Sequence, residues 1–453
     1  MMRQRLAGAD ALAFHTETRA APAHVLLVIT LEASARLGHA PLRDLVASSL
    51  PGLAKFRSRL VGKPLGLGQP VWAQVDGFDP ADHIHPIAVA PPGGRGEFAD
   101  LVAKLITRPL DRDRPLWQVW TIEGLQGDRW ALVLKLSPSM IDGPDGLSAI
   151  LERLLTAAPD DARKSFPVEP GLGAPPSVVD LVVDTAAELA ANQIAGLRLA
   201  SEVVPQALTA ATLRLRGGDN QAVAVARTTF DEPLTKRREV AFGSFPVADV
   251  EAVADAFDVT TDDVLLTCCA LSLRAWFTAH EALPTAPLVM QTPVGRVGLP
   301  MRLDDPAEVL EDVHSQTQRV LTGHASNGQH FSAALTLPAV AQLLPPSVVQ
   351  AGVRLYAGLG LSGRRAPASN GAAARFTGPP VQMYCAATPV VAVHTVPPLR
   401  AGAGVAITLT SYAGAVDVSV TVCPDRVCQV EQIADGIIGA VAALRRSCGI
   451  RET

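Results

Sequence analysis

Few residues in this sequence have the type and spacing that chemistry requires, and the histidines come first. His83 and His85 are separated by one residue in Asp-His-Ile-His-Pro, a spacing that would place both on one strand face as a metal pair. No third ligand is evident beside them, so a structural role is favoured. His394 stands alone in the apolar strand pattern Val-Ala-Val-His-Thr, where a satisfied strand histidine is the favoured interpretation. His324 and His330 lie in a loop-like region with no supporting pattern.

The cysteines and glycines indicate no further site. The sequence holds 6 cysteines, and Cys423 and Cys428 flank Pro-Asp-Arg-Val without a second pair or a histidine at zinc-site spacing. They are therefore predicted to be small buried hydrophobes in a reducing compartment. No glycine-rich phosphate loop is present. Metal, disulfide and nucleotide chemistry are accordingly not expected.

Composition excludes several classes of protein. Only 18% of the 453 residues are charged and 48% are hydrophobic, which rules out intrinsic disorder. A net charge of −5 argues against a surface that follows nucleic-acid phosphates. No apolar run approaches the ~18 residues of a membrane-spanning helix, and the amino terminus lacks the apolar core of a secretory signal. A cytoplasmic, multidomain α/β protein is expected.

The elements that must position any site alternate between strand and helix patterns. Strands are predicted at His24–Leu31, Trp117–Ile122, Trp130–Leu136, Leu288–Thr292, Val405–Tyr412 and Val416–Val422. Helices are predicted at Pro41–Leu50, Glu97–Ile106, Leu147–Leu154, Val264–Trp276 and Val430–Leu444. Thr260 or Thr261 can cap the fourth of these helices, and Asp262 and Asp263 suit the dipole at its first turn.

Three segments follow from this pattern. Residues 1–158 are predicted to form one α/β domain, 159–226 a linker with a long helix, and 227–453 a second α/β domain. The helix pattern at Ser177–Leu215 has an apolar stripe and few charges, with a break near Pro205. It fits either an inter-domain helix packed on the protein or an interfacial helix in contact with lipid. Packing is favoured, because the polar face lacks the lysines and arginines expected at a membrane surface.

Residues Pro115–Gly143 read PLWQVWTIEGLQGDRWALVLKLSPSMIDG, and this stretch resembles the bacterial wax ester synthase/acyl-CoA:diacylglycerol acyltransferase family, whose core motif is His-His-x-x-x-Asp-Gly. The resemblance covers nearly the whole chain. Its further parts are Leu6–Phe14 (LAGADALAF), Arg57-x-Arg59-Leu60, Pro64–Trp72, Arg108–Asp111, Arg114–Trp117, Thr408–Gly414 and Asp417. Their shared order and spacing make the match specific.

The resemblance implies a fold and a mechanism. The fold would be α/β: a two-domain CoA-dependent acyltransferase-like (chloramphenicol acetyltransferase-like) fold with mixed sheets and a channel between the domains. In the family, the second motif histidine takes the acceptor's hydroxyl proton as the oxygen attacks the thioester. The motif aspartate is turned inward and structural, and the motif glycine allows close backbone approach.

The sequence departs from the family at the decisive place. Asp142 and Gly143 match the motif, but Ser137 and Pro138 stand where the two histidines belong. Proline cannot accept a proton, and a serine hydroxyl is too weak a base near neutral pH. His394 is therefore a candidate surrogate base, although its structural interpretation is favoured.

Other markers have changed as well. The family's Asn-Asp pair appears as Asp262-Asp263, and its Ser-Asn-Val-Pro-Gly-Pro loop appears as Ala374–Pro379 (ARFTGP). Phe230-Asp231 stands where Leu/Phe-Asn is expected. Thr292 and Ser411 could donate hydrogen bonds in the channel. Trp117 and Trp120 are predicted to pack in the core.

The expected function is O-acyl transfer from acyl-CoA to diacylglycerol or a long-chain alcohol, giving triacylglycerol or wax ester at a reduced rate. One alternative is an inactive relative that binds acyl-CoA or lipid, or that supports an active paralogue in a homo- or hetero-oligomer. A second is a related acyltransferase or condensation enzyme with an altered site that acts on another alcohol or amine. No bound cofactor is expected, with acyl-CoA as co-substrate. The expected location is the cytoplasm, with peripheral contact to the inner membrane or lipid droplets.

Overall fold

The computed structural model describes residues 4–143, 145–159, 166–193, 225–280, 283–326, 345–351, 369–400 and 402–449. Its longer helices are α1 (Gly8–Thr16), α2 (His39–Ser49), α3 (Arg95–Thr107), α4 (Gly146–Leu154), α5 (178–193), α6 (Val247–Phe257), α7 (Thr261–His280), α8 (Pro306–Ser326) and α9 (Val430–Ser447). Its strands are β1 (Val25–Leu31), β2 (Ser58–Val61), β3 (Val71–Gln74), β4 (Ile84–Ala88), β5 (Trp117–Leu125), β6 (Arg129–Leu136), β7 (Glu239–Pro246), β8 (Leu288–Thr292), β9 (Gly295–Leu299), β10 (Gly371–Thr377), β11 (Tyr384–Cys385), β12 (Thr388–Val396), β13 (Val405–Tyr412) and β14 (Ala415–Val422).

The strands form two mixed six-stranded sheets. The first sheet has the order β11-β12-β1-β6-β5-β4, and the second has the order β7-β14-β13-β10-β8-β9. β4 pairs with β5 in parallel, and β10 pairs in parallel with both β13 and β8, while the other pairs are antiparallel. The strands β2 and β3 form a separate small ribbon. The predicted α/β class with mixed sheets is confirmed.

The chain segments and the sheets do not coincide. The strands β11 and β12 come from the 227–453 segment, yet β12 pairs with β1 in the first sheet. The physical reason is that β1 is a continuous apolar run whose residues Leu26–Ile29 have 0% exposure. Such a strand needs a hydrogen-bonded neighbour on each side, and β6 supplies only one. The second predicted domain therefore contributes part of the first one's sheet.

The two sheets are joined directly. Asp417 on β14 is buried, and its carboxylate accepts the backbone N–H of Val393 on β12 at 2.8 Å. The helix α3 bridges both sheets, because Phe98 stacks on Phe242 of β7 with ring centroids 5.7 Å apart. The helices α7 and α9 pack together against the second sheet and form its core. Site residues on either sheet are therefore held in one continuous packing arrangement.

Most of the predicted elements are present within a few residues of their expected ends. The helix α7 begins at Thr261, and Thr260 caps it: its hydroxyl accepts the N–H of Asp263 at 3.2 Å, and Asp263 accepts the N–H of Thr260. The long helix expected at Ser177–Leu215 is described as α5 through residue 193, and the predicted break near Pro205 lies outside the described residues. Of the predicted 159–226 linker, residues 166–177 carry no regular element.

A histidine buried directly before β1, His24, is expected to make the stability of the fold depend on pH. Burial, with the charges of Lys135 and Arg112, lowers the pKa of His24 to about 3. Its Nε2 accepts the N–H of Leu110 at 3.3 Å, a contact that requires the neutral ring. Glu17 also lies 3.2 Å from this nitrogen, but its other carboxylate oxygen is bound by Arg112 at 2.8 Å. The folded state therefore excludes a proton that the unfolded chain binds below about pH 6.5.

We expect the free energy of unfolding to fall as the pH drops from about 6.5 towards 3, with His24 contributing up to ~1.4 kcal/mol per pH unit. Calorimetric Tm values between pH 7 and pH 4 measure this slope. The variant His24→Gln keeps an acceptor for Leu110 and does not titrate, so its slope should be shallower. Identical slopes for the two proteins would show that His24 does not contribute.

Candidate functional site

The motif turn follows directly from the end of β6. Leu136 pairs with Val25 on β1 and with Trp117 on β5, so the last residue of β6 has a strand on each side. The next residue, Ser137, is held by a hydrogen bond from its N–H to the carbonyl of Leu116 at 3.0 Å. Pro138 then opens a single 3₁₀ turn, Pro138–Met140, and keeps Ser137 in the extended region. The sequence thus fixes a tight turn at the predicted position.

Two serine hydroxyls occupy the centre of this turn. Ser137 Oγ lies 2.9 Å from Ser139 Oγ, and the two residues are 7% and 1% exposed. Hydroxyls so buried can orient a substrate group through hydrogen bonds, but they do not remove a proton from an alcohol near neutral pH. Ser139 was not identified from the sequence, because it falls on an unassigned position of the motif.

A buried lysine, Lys55, holds the motif turn in place. Lys55 Nζ donates to the carbonyl oxygen of Ser139 at 2.7 Å and to Asp142 Oδ1 at 2.6 Å. It also lies 5.4 Å from the centroid of the Trp72 ring. Because the ammonium binds a carboxylate and a carbonyl, it acts as a donor and not as a base. Its position between Pro51-Gly52 and the Arg57-x-Arg59 pattern was the only signal in the sequence that could have marked it.

The motif aspartate differs from the family expectation. The side chain of Asp142 is 74% exposed, so it is not turned inward, although one oxygen reaches Lys55. Asp10 on α1 interacts with both of these charged groups. Burial raises the pKa of the Asp10 carboxyl, the ammonium of Lys55 opposes that shift, and the carboxylate of Asp142 reinforces it. The aspartate therefore closes a small charged cluster at the turn rather than filling the core.

Gly143 is retained for a reason other than close approach. Its φ is +67°, in the left-handed region that disfavours side chains, and no heavy atom lies within 4 Å of the place where a Cβ would stand. The glycine is needed for the backbone conformation that leads into α4. The expected close backbone approach is not seen among the described residues.

His394 is not brought to the turn. It pairs with Val28 on β1, which pairs with Val133 on β6, so it is level with a residue four positions before Ser137. At ~3.3 Å per residue and ~4.8 Å per strand, the two backbones are about 16 Å apart. The ring is buried against Phe242 at 4.6 Å, and its Nδ1 lies 3.5 Å from Ser419 Oγ. Burial lowers the pKa of His394, while the nearby Asp417 opposes that shift.

Among the described residues, His83 and His85 do not form a metal site. His83 lies in a 3₁₀ turn before β4 rather than on a strand face with His85, so the expected alternation is wrong. Its Nδ1 lies 2.8 Å from the carbonyl oxygen of Trp117, and its ring stacks on that indole at 4.6 Å. The described part of the chain holds no group of three or more His, Cys, Asp or Glu that could bind a metal. The side chains of His324 and His330 lie outside it.

Three other candidates from the sequence have simple environments. Thr292 Oγ1 donates to the carbonyl of Gly295 at 2.8 Å and so closes the β8–β9 turn. The hydroxyl of Ser411 is buried, with no hydrogen-bond partner among the described residues. Trp117 and Trp120 are buried in the core as predicted, and Trp117 donates its indole N–H to the carbonyl of Phe56.

Two changed family markers contact each other in the second domain. Arg375, in the part of the altered family segment that forms β10, donates to Asp262 at 3.0 Å and to the hydroxyl of Thr261 at 2.7 Å. The next residue, Phe376, packs against the cluster of the first sheet that contains Met140 and Ile141. The ion pair between Arg375 and Asp262 thus stands where the family pattern has two asparagines. It lies beside Phe376, which packs against the same cluster as the motif turn.

This contact predicts coupled substitutions. Arg375→Asn or Asp262→Asn alone should lower the free energy of unfolding, and the double variant should regain part of that loss, because it leaves neither charge without its partner. The coupling should be about 0.5–1 kcal/mol, since the Asp262 side chain is 57% exposed and solvent weakens the pair. A denaturant double-mutant cycle measures it. Strictly additive effects would show that the two residues changed independently.

Comparison with known proteins agrees with the family resemblance of the sequence. The sequence profile of the wax ester synthase/diacylglycerol acyltransferase catalytic domain matches residues 6–265, and that of the family's C-terminal domain matches residues 295–445. A provisionally named diacylglycerol O-acyltransferase of Mycobacterium tuberculosis H37Rv is 30% identical over 97% of this chain and 90% of its own length. A second M. tuberculosis relative (strain CDC 1551), tgs1, likewise named for that activity, is 30% identical over 90% of this chain and 89% of its own length.

Solved structures show the same fold. The wax ester synthase/diacylglycerol acyltransferase from Marinobacter aquaeolei VT8 superposes with a TM-score of 0.72 at 23% identity, covering 98% of this chain and 100% of that one. The first condensation domain of the calcium-dependent antibiotic synthetase gives a TM-score of 0.55 at 15% identity, over 99% and 96% of the two chains. The two joined mixed sheets are those of the chloramphenicol acetyltransferase-like class of acyltransferases and condensation domains. Within that class, the chain belongs to the wax ester synthase/diacylglycerol acyltransferase family of enzymes.

Proposed function

We propose that this protein transfers a long-chain acyl group from acyl-CoA to the hydroxyl of diacylglycerol or of a long-chain alcohol, at a rate limited by the missing imidazole. The observation that carries the proposal is the retained motif turn. It stands at the end of β6, with Lys55 binding Asp142 and Gly143 in its left-handed conformation. The buried ammonium of Lys55 holds this turn through both the carbonyl of Ser139 and the carboxylate of Asp142, so the turn is ordered for positioning a substrate.

The reaction needs little from the protein beyond positioning. The acceptor oxygen bonds to the thioester carbonyl carbon, the carbon–sulfur bond breaks, and CoA leaves as a thiolate that takes up the proton lost by the hydroxyl. A general base adds about 10²–10⁴-fold to such a step, whereas orienting two substrates can be worth effective molarities of ~10⁵ M or more. The hydroxyls of Ser137 and Ser139 could orient the acceptor if the hydrogen bond between them opened, so a slow enzyme is expected.

One observation favours the alternative of an inactive relative. Ser137 and Ser139 bind each other and are almost fully buried, so neither hydroxyl is presented openly to a substrate. With Pro138 in the position of the base, the chain would then bind acyl-CoA or lipid, or support an active paralogue as a partner subunit. His394 as a surrogate base remains a proposal that requires the acceptor to be bound far from the turn.

Peripheral contact with the inner membrane or lipid droplets, from the cytoplasm, forms part of the proposal because the acceptors partition into lipid. No helix in the described ranges has both the length and the apolarity to cross a bilayer. Contact would then be made by a surface rather than by a spanning segment.

Purified protein incubated with labelled palmitoyl-CoA and either dioleoylglycerol or hexadecanol tests the function. Slow, enzyme-dependent formation of triacylglycerol or wax ester is expected, and calorimetric titration with palmitoyl-CoA measures binding separately. Binding without product from either acceptor would favour the inactive alternative. If the protein neither binds palmitoyl-CoA nor forms product, the proposal is contradicted altogether. Loss of product in His394→Ala, with acyl-CoA binding retained, would establish the surrogate base.

A further inference from the structure

The helix α5 lies on the protein with two of its acidic side chains, Asp184 and Glu188, turned towards a buried lysine. Lys63 is buried, and its Nζ contacts Asp184 Oδ2 at 2.6 Å and also the carboxylate of Glu188. The second oxygen of Glu188 accepts the N–H of Gln69 at 2.9 Å, and Arg5 binds Asp184 from the amino-terminal segment. The inward side of the helix is therefore held by these charged groups in addition to the buried Leu181 and Thr185.

The outward face of α5 is apolar. Val178, Val179, Val182 and Val183 are 73%, 71%, 51% and 63% exposed. The exposed residues along the rest of this face are Ala186, Ala187, Ala190 and Ala191. These positions recur at the i, i+4 spacing of one continuous helix face. We call this set of four valines and four alanines the valine face.

Charge on and around the valine face indicates what covers it. In the described helix the exposed charge is Asp180, whose carboxylate accepts the N–H of Ser177 at the helix start. No lysine or arginine lies in α5, although a helix that binds anionic headgroups carries them along its polar side. A face without cations is complementary to an uncharged lipid surface and not to an anionic one.

A neighbouring loop extends the apolar surface. Leu65 is 85% exposed and has a φ of +56°, in the loop that also carries Lys63 and Gln69. The same two residues attach this loop to α5. Because the buried ion pairs hold α5 in place, the valine face cannot turn inward without breaking them. Both elements present large apolar side chains to solvent while their polar groups are bound inside, which is an arrangement typical of an interaction surface.

We propose that the valine face, with Leu65, binds the surface of uncharged lipid, such as a triacylglycerol droplet under a phosphatidylcholine monolayer. This inference rests on the proposed function, since it places the enzyme where its acceptor and product are dissolved. Docking by this face also explains why Asp184 and Glu188 are turned inward while four valines are exposed.

Flotation with triolein droplets coated by phosphatidylcholine tests the proposal. The wild type should float with the droplets, and the variant Val179→Asp/Val183→Asp should lose at least tenfold in partition coefficient. The variant Val179→Thr/Val183→Thr keeps side-chain shape and should be weakened in the same direction. The matched control Val294→Asp/Leu321→Asp adds the same charge at apolar residues that are 37% and 43% exposed outside the valine face, and it should float like the wild type.

Several outcomes would overturn the proposal. These are an unbound wild type, equal flotation of the wild type and both valine variants, and stronger binding to vesicles rich in phosphatidylglycerol than to the neutral droplets. A wild-type dimer that the valine substitutions dissociate, with flotation unchanged, would assign the face to a second copy instead. Acyl transfer measured on detergent-dispersed diacylglycerol needs no lipid surface, so a failure of the proposed function is distinguishable from a failure of docking.

Discussion

Replacing Pro138 by histidine should raise kcat of acyl transfer by about one to three orders of magnitude, which overlaps the lower part of the ~10²–10⁴-fold that a general base contributes. The motif turn supports this expectation, because Pro138 contributes its carbonyl to the N–H of Ile141, and a histidine keeps that hydrogen bond. The base acts mainly in the transition state, so KM should change little. The rate of the variant should also rise with pH through the pKa of an imidazole near 6.5.

Three further variants make this prediction specific. Pro138→Asn has a similar freedom of backbone without a base, and it should stay at the wild-type rate. Ser137→His/Pro138→His restores both family residues, and activity in this variant alone would mean that the turn needs both. If neither histidine variant exceeds the wild type while acyl-CoA still binds, the loss extends beyond the base, and the inactive alternative is the better account.

The sequence predicted the elements well because their patterns are long and strongly apolar. The strand β13 and the helix α9 follow period-2 and period-3.6 runs that have one obvious structure. The sequence did not predict which sheet each strand joins, because the pairing between β1 and β12 joins residues about 360 to 370 positions apart and leaves no local signal. The position of His394 could not be predicted for the same reason. It lies in the 227–453 segment, but its strand belongs to the first sheet.

Buried charge was the other part that the sequence did not predict. The chain has only 6 lysines, and Lys55, Lys63 and Lys135 are all buried, at 8%, 5% and 0% exposure. Lysine is ordinarily assigned to the surface, so no pattern rule would find them. The inward position of Asp184 and Glu188 on α5 was not predicted either, because the apolar stripe of a helix is ordinarily expected to pack against the protein. Both features depend on partners distant in sequence that satisfy the charges.

Removal of the Lys55 ammonium should lower kcat/KM for acyl transfer by about 10–100-fold, because a displacement of the turn by as little as 1 Å can cost ~10² in rate. In Lys55→Met the carbonyl of Ser139 loses its donor inside the protein, and Asp142 loses its cation. The unmet carbonyl should also lower the free energy of unfolding by about 1–3 kcal/mol. The Asp142 contact adds little to this, since that carboxylate is mostly exposed.

Measuring both kcat/KM and the free energy of unfolding separates a positioning role of Lys55 from a merely structural one. Lys55→Arg retains the positive charge and should recover part of kcat, whereas Asp142→Asn keeps an acceptor for Lys55 and should have a small effect on both quantities. Lys104→Met on the exposed side of α3 is the matched control for loss of one lysine, and it should behave as the wild type. Rates are compared per folded molecule, with the folded fraction taken from thermal unfolding. If Lys55→Met loses stability but keeps the wild-type kcat and KM at a temperature where it is folded, Lys55 only supports the fold, and the retained turn no longer carries the proposal of acyl transfer.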